Sequence, residues 1–471
     1  MKALARFFEF EARETNFRRE VLAGVATFLT MAYIIFVQPA VLSGTLSGTK
    51  TGMDFGAVTT ATCLSAAVAT LIMGLVAKYP VALAPGMGEN FFFVLTAIPA
   101  AASMGHPEPW RAALGAVFVA GVLFFVISLF GVRRYLLEAL SPSMKSGIAV
   151  GIGLFIAFIG LHSAGVIQTH ANGARLSPKL LSPDMLVFFF GLSLTAALLA
   201  RGTRGAILWG ILGAAGLAAA LRLLAEQVAA VGGLAGVRDS MLMERFRWAE
   251  GVVGPPPSMA PTFLKMDILA ALSWKMLPFV LVFFIMDLFD TMGTLVGVAS
   301  EAGLMREGKL PRANQAFLAD ATGTVAGAAM GTSTVTSFIE SVAGVEQGGR
   351  TGLTAVTVGV LFLAALFFSP VISMVASYPP ITAPALVAVG ALMMRAVCKI
   401  DWRDASEALP AFGAVIGIPL TYSISDGLAL ALVGYPLVKV LAGRGREVSK
   451  TLYVVSAMLL AYLLLIRSRL G

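Results

Sequence analysis

Apolar stretches of membrane-spanning length follow one another almost from end to end of this chain, and no other feature restricts its fold so severely. A stretch of about 17 to 25 such residues crosses a hydrocarbon core of roughly 30 Å as an α-helix. Within lipid, only helices and closed barrels satisfy their own backbone hydrogen bonds. The alternating pattern of an outer-membrane barrel is absent. Composition agrees, since 58% of the 471 residues are hydrophobic and 13% charged, and the mean hydropathy of +0.86 lies far outside the range of soluble domains. The chain reads as an all-α polytopic membrane protein. Its start, MKALARFFEFEARETNFRREV, is charged and amphipathic and lacks the pattern of a removable signal, so the first span is expected to act as the targeting signal.

Spans are expected at 20–42, 57–77, 81–101, 112–131, 143–163, 184–200, 204–224, 274–299, 314–330, 333–346, 352–375, 382–398, 405–421 and 426–442, with 451–466 either a fifteenth span or an interfacial helix. With the N-terminus in the cytoplasm, Arg18, Arg19, Arg133, Arg134, Arg201, Arg204, Arg306, Lys309, Arg312, Arg395, Lys399, Arg403, Arg444, Arg446 and Lys450 all fall on the cytoplasmic side, as the positive-inside rule requires. The expected location is the cytoplasmic (inner) membrane. The net charge of +8 is therefore a matter of sidedness and gives no support to nucleic-acid binding. Cys63 and Cys398 have neither metal nor disulfide spacing and read as packing residues; no metal site and no cofactor is expected. The long connection 226–273, with Trp248 and the Pro255–Pro257 cluster, is expected outside as a small amphipathic cover.

Fourteen spans divide into seven and seven, and the halves echo each other: GIAVGIGLF (147–155) against LVAVGALMM (386–394), and APGMGENFFFV (84–94) against AMGTSTVTSFI (329–339). An odd number of spans per repeat inverts the second copy, which places a ligand site near the midplane where discontinuous helices meet. The third and tenth segments are the interrupted ones, each an extended piece followed by a helix. Pro80 and Pro85 remove donors, Gly86 and Gly88 permit close backbone approach, and Gly331 opens the hydroxyl run Thr332, Ser333, Thr334 and Thr336, able to cap a helix or bind a ligand. Backbone that leaves the helix at membrane depth must be buried in protein or face a cavity, with the helix N-termini turned toward its contents.

Asp287 and Asp290 lie near the centre of the eighth segment, on one face with Thr291 and Thr294, and Glu340 lies in the tenth. Each charge at mid-bilayer costs about 2.5 to 3.5 kcal/mol on the insertion scale, so the default reading is functional. Structural alternatives stand beside it: Asp287 could hold broken backbone, Asp290 brace its helix, and Glu89 brace the glycine turn or line the cavity. Asn90 offers a donor and an acceptor to a heterocycle edge. Phe91, Phe92, Phe93 and Phe289 are packing residues or one wall for a planar ligand. Arg350 reads as a helix-end cation and Asp426 as the cap of the fourteenth helix.

The stretches VLAGVATFLTMAYIIFVQPAVLS, ALAPGMGEN, MDLFDTMGTLVGVA and GTSTVTSFIESVAGVEQGGRTGLTAV resemble the AzgA-like hypoxanthine/adenine/guanine permeases, a branch of the nucleobase–cation symporters with the uracil-permease fold. The resemblance covers nearly the whole chain. It implies a fourteen-span inverted repeat with two short half-strands in segments three and ten. The core domain would comprise 18–131 and 274–378, the gate domain 139–225 and 380–445, with 226–273 an extracytoplasmic loop and 450–471 a terminal apolar helix. It further implies a secondary transporter that imports a purine base with a proton by alternating access. Carried over by motif, the base-holding acids are Asp287 and Glu340 and the asparagine is Asn90; Glu89, Thr334 and Phe289 complete the expected substrate set. Asp287, Glu340 and Asp290 are the candidates for proton coupling, and Gly86, Gly88, Gly331 and Ser333 shape the site. Glu89, the Asn90-Phe91-Phe92 run and GVEQGGRTG depart from the family pattern.

No G-x-x-x-x-G-K-[ST] motif is present, so an ion gradient is the expected energy source, H⁺ ahead of Na⁺. Another nucleobase or a small anion could be the cargo of the same fold, although several acids would repel an anion. An intramembrane aspartyl protease fits poorly, because its two acids must face each other from separate helices. A channel is disfavoured, since no tandem filter-like loops occur. The oligomeric state, a homodimer among the options, is not set by the sequence.

Overall fold

The computed structural model describes residues 2–465 apart from 47, 131–139, 171–172, 231–239 and 306–309. Arg133, Arg134, Arg306 and Lys309 of the charge pattern, and 466–471 of the terminal segment, lie outside the described residues. Nine helical stretches among the described residues are long and apolar enough to cross a membrane.

An N-terminal helix α1 (Lys2–Phe7) precedes α2 (Phe17–Met31) and α3 (Ile34–Leu42). The last two divide the expected first span, and the cause is local. Thr30 turns its hydroxyl back onto the carbonyls of Ala26 and Thr27, a pattern that bends helices. Next come α4 (Phe55–Ile72), which runs on as a π-helical turn to Ala77, then β1 (Leu83–Pro85), α5 (Met87–Phe92), α6 (Ile98–Ser103) and α7 (Pro109–Phe130). After α8 (Pro142–Ser163) comes a hairpin of β2 (Ile167–His170) and β3 (Gly173–Leu176), paired antiparallel. The all-helical expectation omitted it, although Asn172-Gly173 is a hairpin signal at sequence level. Helices α9 (Pro183–Ala200) and α10 (Ala206–Ala230) close the first half.

In the second half, α11 (Leu277–Glu301) and α12 (Ala313–Met330) lead to β4 (Val335–Ser337), a 3-10 turn (Ile339–Ser341) and the short α13 (Val342–Glu346). Then follow α14 (Gly352–Ala365), α15 (Ser369–Ser377), α16 (Pro379–Met393), α17 (Ala405–Leu420), α18 (Ile424–Leu441) and α19 (Lys450–Leu465). Helix starts are written in the sequence. Side chains of Asn16, Asp54, Ser141, Ser182, Thr351 and Asp404 each accept a first-turn N–H. The cap of α18 is Ser423 and not Asp426, because Ser423 precedes the helix and accepts from the Asp426 N–H. Cys63 is buried but Cys398 is exposed, so only the first is a packing residue.

The helices pack in two groups. In one, α2, α4, α7, α11, α12 and α14 touch; in the other, α8, α9, α10, α16, α17 and α18. Small residues bring the backbones together, and a Cβ on Gly390 of α16 would stand 2.4 Å from the Gly153 carbonyl of α8. Helix α5 crosses to α8 and α18, and α19 touches both α18 and α11. Parts of the 226–273 connection lie against helix ends: Pro257 accepts from Thr60, and the Leu264 N–H donates to Ala329.

Candidate functional site

Strands β1 and β4 meet antiparallel, Leu83 opposite Ser337, Ala84 opposite Thr336 and Pro85 opposite Val335. One device secures both. The Thr70 hydroxyl of α4 donates to the Leu83 carbonyl and accepts the Leu83 N–H, both at 2.9 Å. The Thr324 hydroxyl of α12 does the same for Val335, at 3.0 and 3.1 Å. Leu83 and Val335 are thus equivalent, and the symmetry passes through Ala84 and Thr336. The sequence echo that set 84–94 against 329–339 was out of step by seven residues. Its Ala-Met-Gly is the end of α12, where Gly331 sits at φ 102° with Thr262 in the space of a Cβ.

Carboxylates gather beneath this strand pair. Asp287 is buried; its Oδ2 accepts from Thr324 at 2.9 Å and its Oδ1 has no partner. Asp320, on α12, is equally buried. Its Oδ1 accepts from Thr291 at 2.6 Å and Ser337 at 3.1 Å, and its Oδ2 accepts from no donor, with the Asp287 carboxyl within hydrogen-bonding reach. Asp320 was not among the sequence candidates, although it is the one acid of the expected span 314–330. Asp290 is exposed; its Oδ2 accepts from Thr336 at 3.3 Å. Thr291 and Thr336 share a hydrogen bond of 2.8 Å.

Glu340 is half-buried, and its Oε1 accepts from the Tyr33 hydroxyl at 2.8 Å, at the break between α2 and α3. Glu89 is buried and folds over Gly86, where a Cβ would lie 2.3 Å from its Oε2. It lies within electrostatic reach of Asp290 and Asp320. The Ser333 hydroxyl donates to Asn90 Oδ1, while Asn90 Nδ2 and Thr334 Oγ1 have no partner. Gln38, a second residue not singled out from the sequence, donates to Thr332 at 2.8 Å and Ser333 at 3.1 Å.

Two features face the second helix group. The Phe289 ring lies 5.4 Å from the Lys145 ammonium of α8. Gly88 leaves room between Ile152 of α8 and Met286 of α11, with a Cβ there 3.1 Å from the isoleucine. Phe91, Phe92 and Phe93 are fully buried; Phe92 stacks on Phe279 and packs edge-on to Phe283, so these rings are packing. Arg350 donates to the Val345 carbonyl at the end of α13, the helix-end role its position suggested. The arrangement can offer donors and acceptors to a small polar ligand and hold protons on closely set carboxyls.

Residues 18–430 match the family described as "Permease family". The chain belongs to that family. It is accordingly a multi-pass membrane transporter and not an enzyme. It is 47% identical to a putative permease of Methanocaldococcus jannaschii over 459 residues, which cover 97% of each chain. It is 39% identical to the guanine/hypoxanthine permease PbuG of Bacillus subtilis, over 98% of this chain and 99% of that one. The adenine permease AdeQ of Escherichia coli is 37% identical, over 98% and 96%. Among solved structures, the transmembrane domain of a cyanobacterium bicarbonate transporter, BicA, superposes with a TM-score of 0.61 at 15% identity, covering 88% of this permease and 97% of that chain. At that identity the likeness speaks for the fold alone.

Proposed function

We propose that this permease imports purine nucleobases, hypoxanthine, guanine or adenine, together with protons by alternating access. Relatives named for guanine/hypoxanthine and adenine supply the substrate class. The observation that carries the reading is the concentration of unmet hydrogen-bonding atoms around the strand pair: Asn90 Nδ2, Thr334 Oγ1, Asp287 Oδ1, Asp320 Oδ2 and Gln38 Oε1. Each such orphan costs about 1–3 kcal/mol. A purine, with ring and exocyclic N–H donors and ring-nitrogen acceptors, relieves that cost on binding. Glu340, Glu89 and Phe289 complete the substrate set, Phe289 as a wall toward the second helix group.

Protons enter the scheme through Asp287, Glu340 and Asp290, with Asp320 as a fourth carboxyl. Asp287 and Asp320 belong to one hydrogen-bonded set through Thr291, Thr324 and β4, and each has a spare oxygen, so a proton taken up there neutralises charge otherwise held in a dry environment. The first helix group is read as the moving core, 18–131 with 274–378, and the second as the gate, 139–225 with 380–445. The chain then makes fourteen spans as a seven-plus-seven inverted repeat. It lies in the inner membrane with its N-terminus in the cytoplasm. The twofold relation of Thr70–Leu83 to Thr324–Val335 supports the repeat.

The fold neighbour named for bicarbonate raises an anion cargo as the second reading. The carboxylates around the strands oppose it, since they repel an anion. Uptake of labelled hypoxanthine, adenine, guanine and bicarbonate into vesicles of purified protein, with and without an inward proton gradient, decides between them. Gradient-driven purine accumulation, lost in Glu340→Gln, is the expected result; bicarbonate uptake without purine uptake would sink it.

A further inference from the structure

A second concentration of charge lies at the face that carries the N-terminal helix. The turn at Glu11–Arg13, the end of α4 and the entry to α12 enclose a cavity of about 110 Å³ lined by Glu9, Arg13, Lys78, Tyr79, Leu304 and Arg312, among others. Pockets for drug-sized molecules run to roughly 300–1,000 Å³, so this one suits a single small group.

Its charge balance is uneven. Glu9 Oε1 lies 2.8 Å from Arg312 and 3.4 Å from Lys78. The Arg312 hydrogen bond, assisted by Lys78, holds the Glu9 carboxyl below the usual range. Arg13 is half-buried, and no carboxylate among the described residues pairs with it. Among the described lining residues, three cations stand against one anion, a positive excess in a small recess. Glu9, Lys78 and Arg312 all take left-handed backbone, φ 59°, 58° and 50°, strain that the surrounding contacts have to hold.

Exposed hydrocarbon adjoins it in the chain. Leu75 and Val76, which precede the lining Ala77 and Lys78, and Leu4 and Phe7 of α1 are 40 to 56% exposed, and the Lys78 ammonium lies 4.7 Å from the Phe7 ring centroid and 2.8 Å from the Phe7 carbonyl oxygen. A cationic recess bordered by exposed apolar side chains, at the end of a membrane helix, matches a molecule with an anionic head and a hydrocarbon tail.

We propose that this cavity binds the phosphate of an anionic membrane phospholipid, with Arg13, Lys78 and Arg312 on the phosphate and an acyl chain along Leu75 and Val76. The site is built from the first helix group and the chain leading into it.

The test is thermal unfolding of the full chain in detergent with added phosphatidylglycerol, phosphatidylcholine or inorganic phosphate, for the natural protein, Arg13→Gln and Arg13→Lys. Phosphatidylglycerol is expected to raise Tm by several degrees above phosphatidylcholine. Arg13→Gln should lose most of that rise and Arg13→Lys keep part of it, with Tm in detergent alone unchanged because no carboxylate among the described residues pairs with Arg13. An equal, Arg13-dependent rise with inorganic phosphate would assign the site to free phosphate and overturn the lipid. No rise with phosphatidylglycerol, or a rise that survives Arg13→Gln, overturns the site. Should Arg13→Gln not fold, lipid retention counted by native mass spectrometry on Arg13→Lys, expected below the natural chain, gives the same decision.

Discussion

Glu20, on the first turn of α2, and Asp287, near the middle of α11, are carboxylates with 0% and 1% exposure, and the two keep different company. Glu20 Oε1 accepts from the Thr15 hydroxyl and the Arg350 N–H, both at 2.9 Å, and its Oε2 from the Thr354 hydroxyl at 2.6 Å and the Thr351 N–H at 3.2 Å. It caps the entry to α14 and ties that helix to α2. Asp287 has one donor, Thr324, and an oxygen with none. Burial therefore does not distinguish an acid proposed to work from an acid that holds. A carboxylate whose lone pairs are all engaged has nothing left for a cargo, whereas one left short has a reason to meet one.

The largest test of that contrast is Asp287→Asn. Purine accumulation under a proton gradient is expected to fall to the level of empty vesicles, with thermal unfolding close to that of the natural protein, because only one hydrogen bond is at stake. Glu20→Ala should do the reverse. It orphans two backbone N–H groups and two hydroxyls and is expected to destabilise by at least about 2 kcal/mol, read as a clear drop in Tm, while transport per folded molecule persists. If Glu20→Ala abolished transport at unchanged stability, the contrast would be broken.

Asn90→Ala should act more mildly. Losing one or two hydrogen bonds to a purine weakens its apparent affinity about tenfold, measured as the half-saturating concentration of uptake. The smallest effect belongs to the charged clip beyond α18. There Arg444 lies 2.6 Å from Asp404 and 2.7 Å from Glu447, and buried Lys439 lies 2.8 Å from Glu407. Hydrogen bonds from Ser406 and Arg444 hold the Asp404 carboxyl down at about 2, and those from Arg444 and Lys439 do the same for Glu447. Depressed carboxyls contribute stability above their unfolded values near 4 and lose it as pH falls through the folded ones. The Tm difference between the natural chain and Asp404→Asn should stay level from neutral to mildly acid pH and shrink only below about 4.

Much of the candidate site was legible because charge inside an apolar run is conspicuous. Asp287, Asp290 and Glu340 stand out against their neighbours, and the Pro-Gly and Thr/Ser interruptions mark where helix gives way to strand. Asp320 went unnamed because its segment, NQAFLADATGTVAGAAM, is small and weakly apolar, so the acid makes less contrast there. Glu20 was hidden in the charged entry to the first span, and Lys439 near the exit of the last paired one, where cations are ordinary. The repeat was detected but misaligned, since Ala, Gly and Met recur too often in such a chain to fix a register.

The sequence by itself determined that this protein lives in a bilayer as helices, where two of them break, and that Asp287, Asp290 and Glu340 stand within apolar runs, because each is a matter of local hydrophobicity and backbone chemistry. Only the tertiary structure decided that Thr70 and Thr324 hold the two strands in one symmetrical pair, that Asp320 joins Asp287 through residues as many as 37 positions apart, and that Glu20 is satisfied where Asp287 is not. Those depend on which side chains helix packing brings within 3 Å, and spacing along one chain does not contain that distance.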